Sequence, residues 1–175
     1  MRYSAQNVKE KTMSHNLENK VQGIQKLLES WGLTCEVVEF PQGTRTSADA
    51  AACIGCDLSQ IAKSLIFRTA HTSKPVLILA SGSNRVNEQA IAYHLGETIT
   101  KADADFTKQK TGFAVGGIPP FGHNHPIELT FIDQDLLQHQ TVWTAAGTPR
   151  SVFNIPTNDL IQRTQAKIIS LRDGE

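Results

Sequence analysis

From Asn16 onward apolar residues recur at helical spacing, at Leu17, Val21, Ile24, Leu27, Leu28 and Trp31, and Gly32 stands where the run must stop. An amphipathic helix is predicted there. The residues before it, opening with MRYSAQNVKEKT, are polar without a usable period and lead to a second methionine, Met13. Residues 1–15 therefore read as a disordered extension, or the stretch before Met13 as an overlong start assignment, ahead of a domain over 16–175. TCEVVEF reads as a strand closed by Pro41 and Gly43. Thr46 followed by Asp49 has the form of a helix start, because the threonine hydroxyl can cap while the acid sits in the positive first turn. An alanine-rich helix follows and stops near Gly55. A second helix is predicted from Asp57–Ser59 through QIAKSL into LIFRTA. Then come the strand PVLILAS, a turn at GSN, a helix from Asn87 to Leu95 ended by Gly96, and a short helix from Asp103 to Lys110. GFAVGG, PIELTFID and QTVWTAAG alternate as strands do, and a last helical turn covers Thr157–Arg163. Strands and helices mix without regular βαβ alternation, which predicts a single α+β domain.

Composition narrows the function. The 175 residues carry 17 basic and 17 acidic side chains, a formal net charge of +0, so no broad nucleic-acid footprint is written into the chain. Any RNA contact should be local. There is no apolar stretch of membrane-spanning length and no apolar signal-peptide core, so a cytoplasmic protein with no membrane partner is expected. Three cysteines, an odd number, fit a reducing compartment better than a disulfide framework.

Several groupings invite chemistry. Cys53 and Cys56 have CxxC spacing, but no second pair completes a tetrahedral metal site, and both read as small buried residues at a helix end. His123 and His125 lack a third ligand, so neither metal nor cofactor is expected. SGSN is not a nucleophile elbow, and no phosphate-binding glycine motif is present. Two features remain. Lys63 stands among apolar neighbours at what reads as a helix-to-strand junction, where its simplest role is a stem on the core with its amine in water. The run GGIPPFGH, Gly116 to His123, combines glycines that allow close backbone approach with prolines that fix the path, and suits either a rigid ligand loop or a long structural turn.

TSADAAACIGCDLSQIAKSLIF, VLILASGSNRVNEQAIAYHLG, TGFAVGGIPPFGH and AAGTPRSVF, in that order, closely resemble the YbaK/EbsC family, free-standing relatives of the editing domain inserted in bacterial prolyl-tRNA synthetases. The likeness runs from about Leu17 to Leu171. It implies a mixed, barrel-like sheet flanked by helices and an aminoacyl-tRNA deacylase. The partners would be the aminoacyl-tRNA acceptor end and a synthetase. It also implies catalytic roles for Lys63, Gly116 and Gly117, with the amides of the glycines facing an oxyanion. A substrate site would comprise Ile118, Pro119, Pro120, Phe121, Gly122 and His123 with Gly147 and Thr148, and the prolines and Phe121 would wall an acyl pocket. The alternatives are a non-catalytic small-molecule or nucleotide-binding module using the same pocket and, more distantly, a thiol redox protein.

Overall fold

The first helix is longer than its apolar stripe. The computed structural model describes residues 5–44 and 46–172, with side chains from residue 16, and α1 spans Ala5–Ser30. It starts upstream of Asn16 because residues 5–22 contain neither glycine nor proline and several strong helix formers, so nothing in the local sequence interrupts the helical backbone. The polar stretch expected to be disordered is thus helical from Ala5, while residues 1–4 lie outside the described residues. Gly32, with φ of 71°, turns the chain out after α1 as predicted.

The other helices follow their caps. In α2 (Ser47–Ile54) Thr46 and Asp49 form a reciprocal capping box, and Gly55 ends the helix at φ 79°. Asn87 caps α3 (Glu88–Leu95), Asp103 caps α4 (Ala104–Thr111), and α5 covers Thr157–Thr164.

One expected helix is absent. After a 3-10 turn at Leu58–Gln60, IAKSLIFRT is β2 (Ile61–Thr69), a central strand. A continuous apolar run is ambiguous between helix and strand, and pairing with three neighbours decides it. GFAVGG, in turn, is no strand but part of a turn-rich loop. The remaining strands are β1 (Val37–Glu39), β3 (Pro75–Ser81), β4 (Ile99–Lys101), β5 (Leu129–Asp133), β6 (Thr141–Ala145), β7 (Ser151–Pro156) and β8 (Lys167–Ile169).

These strands form one mixed sheet in the order β1-β7-β6-β2-β3-β5-β8, with β4 also paired to β2. Its two faces are read directly from strand alternation. Ala62, Ile66, Leu77, Leu79 and Val142 pack with Ile24 and Leu28 of α1 and Leu160 of α5, whereas Phe67, Val76, Ile78 and Ala80 pack with Ile91 of α3. An aromatic chain joins α1 to the sheet through the 112–123 loop: Trp31 meets Phe121 edge-on at 4.7 Å, and Phe121 meets Phe153 at 5.6 Å. Among the described residues no helix is long and apolar enough to cross a membrane.

Phe153 is fully buried at the end of that chain. Phe153→Ala should lower stability by about 3–5 kcal/mol, read in urea unfolding as a lower midpoint at unchanged slope.

Candidate active site

Strands β2 and β6 run parallel but pair at two positions only, Ile61 with Trp143 and Ala62 with Thr144. Beside this short ladder lies a cleft of about 290 Å³, lined by Lys63 and Ser64 of β2, Gly116 and Ile118 of the loop, Thr148 and Pro149 of the β6–β7 turn, and the start of α2. Its rim is tied together by hydrogen bonds to main-chain carbonyls. Phe40 N–H donates to Arg150 O at 2.8 Å, and the Thr44 hydroxyl donates to Pro149 O at 3.1 Å.

The glycine-proline loop divides between two sides of the molecule. Gly117 N–H donates to Ala114 O at 3.1 Å, closing a turn in which Gly116 takes φ 91°. That conformation is the one a type II turn asks of its third residue. Gly116 and Ile118 line the cleft, and their amides make no hydrogen bond among the described residues. Gly117 does not supply a free amide, contrary to expectation. A Cβ there would lie 2.7 Å from the Thr148 Cα, so its missing side chain serves close packing of loop on turn.

The second half of the loop does not wall this cleft. Phe121 is buried against Trp31 and Phe153. Pro120, Phe121, Gly122 and His123 line a separate depression beside Leu27 and Trp31. Pro119 is buried and accepts a 2.7 Å hydrogen bond from His123 Nε2, which fixes that nitrogen as the protonated one. Burial, against the pull of that bond, holds the His123 pKa below its ordinary 6.5. His123 is a strut of the loop. Gly147, at φ 107°, faces Phe113 and Lys20 and is not among the cleft's lining residues. Thr148 is in the cleft wall, its hydroxyl 2.8 Å from Ser151 Oγ.

Lys63 is on a strand, not at a helix junction, and its amine does not simply reach for water. It donates to Asn84 O at 2.6 Å and to Gly82 O at 3.4 Å. An ammonium has three donors, so one remains. Burial lowers its pKa from the ordinary 10.5, with Asp133 opposing the shift and Arg85 adding to it. Behind it lies a polar network that the sequence reading missed. The Asn84 amide donates to Asp133 at 2.8 Å and to Asp135 at 2.7 Å, Ser81 N–H donates to Asp133 at 3.1 Å, and Arg172 pairs with Asp135 at 2.9 Å. The available signal was an acid closing the apolar run LTFID, since an ionised group at a strand end either reaches water or needs donors.

Cys56 is half-buried, and burial with the nearby Asp57 raises its thiol pKa. Cys53 is exposed, contrary to expectation, because α2 turns Ala50, Ala51 and Ile54 inward. Also missed were Ser64 and Thr144 in the cleft lining, whose buried hydroxyls have no hydrogen-bond partner among the described residues.

Against known proteins, residues 41–162 match the family model described as an aminoacyl-tRNA editing domain. An uncharacterised Bacillus subtilis protein, YwhH, is 30% identical over 138 residues, covering 79% of this chain and 87% of its own. A proline–tRNA ligase of Limosilactobacillus fermentum is 33% identical over 98 residues, which are 54% of this chain but 17% of the ligase. A crystal structure solved as a candidate trans-editing enzyme for prolyl-tRNA synthetase superposes with a TM-score of 0.82 at 36% identity, covering 89% of this chain and 98% of that one. The mixed sheet is therefore that of an aminoacyl-tRNA editing domain. The chain belongs to that family, in the YbaK/EbsC group that its motifs resemble.

Two outcomes follow from this geometry. Gly117→Ala forces Cβ onto the Thr148 main chain, so its melting temperature should fall by several degrees in a thermal scan, as clashes costing about 1–3 kcal/mol do in small domains. His123 is held neutral by burial, so between its lowered folded pKa and 6.5 the unfolded chain binds more protons than the folded one. Its contribution is complete above pH 6.5 and is lost as pH falls through the folded value. Melting temperatures measured from pH 7 to 5 should decline, and His123→Gln, which keeps a donor, should flatten that decline.

Proposed function

We propose that this chain is a trans-acting deacylase that hydrolyses the ester joining a small, wrongly attached amino acid to the acceptor end of a tRNA. The observation that carries this reading is that Lys63, Gly116, Ile118 and Thr148 converge on one cleft inside the segment matching the editing domain. An aminoacyl ester is already activated. Its hydrolysis needs a held water, stabilisation of the oxyanion and correct positioning more than a protein nucleophile.

The loop and the lysine divide those tasks. The Gly116 amide, unused by the fold and unshielded by a side chain, is the donor suited to the developing negative charge. Gly117 supports it by letting the loop lie against Thr148. The remaining N–H of Lys63 is available to the ester carbonyl or the terminal phosphate, and its other two bonds fix where that charge sits. Small and branched aliphatic side chains, Ala62, Ile118 and Val152 among them, limit the size of the acyl group. With no net charge to attract phosphates, tRNA selection falls to local contacts or to a synthetase partner.

Lys63→Ala should remain folded by circular dichroism while single-turnover deacylation of a mischarged tRNA falls on the order of 10²-fold or more, as when one positioned charge donor is removed. A folded variant with a near-parental rate would remove Lys63 from the mechanism.

A further inference from the structure

We infer that Asp133 is a positioning residue for Lys63: it binds the side chain of Asn84, whose carbonyl holds the Lys63 ammonium, and it supplies the negative charge that this ammonium otherwise lacks. Its kinetic consequence rests on the deacylase reading above, whereas its effect on Lys63 itself does not. The sheet register sets the arrangement. Lys63 of β2 pairs with Ala80 of β3, and Leu79 pairs with Ile132 of β5, so Asp133 comes level with Ala80 on the next strand. Paired residues share a face and successive ones alternate, so Lys63, Ala80 and Asp133 form one row across the face that carries Phe131. Two strand spacings, roughly 10 Å, separate the backbones of the lysine and the acid. The small side chain of Ala80 stands between them, and the Gly82–Asn84 turn that follows β3 is bonded to both.

Each of the two is an unmatched charge by itself. Asp133 is fully buried, and its bonds come from neutral groups, the Ser81 and Asp135 amides and the Asn84 side chain. Lys63 is half-buried, and its bonds go to carbonyls. Neither makes an ion pair among the described residues. Asp135, the other acid of the network, already has Arg172 at 2.9 Å, and no acid is among the described residues that line the cleft. The charges that act on Lys63 are therefore Asp133, which favours the ammonium, and Arg85, which opposes it. Withdrawn from water, the attraction across the turn is screened far less than it would be at the surface. A direct carboxylate contact would attract more strongly but would cover the ammonium. With Asn84 in between, the cation keeps a counter-charge and its third N–H stays free for a ligand.

The test reads Lys63 without any substrate, by following the NMR shift of its Cε against pH in the folded protein, with the signal assigned through Lys63→Arg. Asp133→Asn, equal in shape but neutral, should move that titration to lower pH, because the ammonium loses its attractive charge. Asn84→Ala keeps both charges but frees the carbonyls from their anchor, and should move it the same way. Ser81→Ala loses the hydroxyl bond to Ser59 O and keeps the amide bond to Asp133, so it should leave the titration in place even where it melts lower. On the deacylase reading, single-turnover hydrolysis of a mischarged tRNA by Asp133→Asn should fall about 10–100-fold, as loss of an outer partner does at metal sites, and its alkaline limit should move in step with the titration. An unchanged or raised titration in folded Asp133→Asn, an equal displacement in Ser81→Ala, or a parental rate in Asp133→Asn overturns the inference. Should Asp133→Asn fail to fold, Asn84→Ala decides by the same criteria. If the parent hydrolyses no mischarged tRNA, the deacylase reading fails, and the titration still upholds or overturns the role of Asp133.

Discussion

A carboxylate withdrawn from water sets the terms for this site. Asp133 is fully buried at the end of β5, where an ionised group is tolerable only if donors surround it. It accepts from Ser81 N–H, from the Asn84 side chain and, through its other oxygen, from Asp135 N–H at 3.1 Å. Those bonds dictate the path of the chain leaving β3, and that path presents the Asn84 and Gly82 carbonyls to Lys63. The lysine is held by main-chain oxygens whose positions depend on a neighbouring strand's acid. Fixing a cation through a second layer of hydrogen bonds is the usual physical condition for a precise site.

The cleft has an equally economical origin. A parallel ladder of two residue pairs joins β2 to β6, and the space beside it is framed by the start of α2, the glycine turn and the β6–β7 turn. Framing it with main chain from three segments keeps its walls rigid, because each segment is hydrogen-bonded or packed against another. Ser64 and Thr144, whose buried hydroxyls have no hydrogen-bond partner among the described residues, belong to this frame.

Helix ends were the most legible part of the fold. Thr46 with Asp49, Asn87, Asp103 and the glycines at 55 and 96 carry their own local chemistry, and each marks a boundary in the structure. Strand identity was less legible. IAKSLIFRT becomes a strand through pairing with β3, β4 and β6, partners that no local window contains, and the three-residue strands β4 and β8 are too short to show a period. At the site, Lys63 and Gly116 were visible because a lone cation among apolar residues and a glycine pair are conspicuous. Ser64 and Thr144 were not, since small hydroxylated residues are common and only burial distinguishes these two. The division of GGIPPFGH was hidden for a related reason. Which side a proline or phenylalanine takes depends on α1, which is far away in sequence.

That dependence on α1 bears on what counts as the working unit. The segment matching the editing domain begins at residue 41, yet Trp31 covers Phe121, Ile24 and Leu27 press on Gly122, and Lys20 donates to Gly112 O at 2.7 Å. The helix therefore acts as a splint along the far side of the loop whose near side faces the cleft. A fragment cut to the matched boundaries would carry every cleft residue and still lose its outer brace, so the autonomous module is larger than the stretch by which the family is recognised.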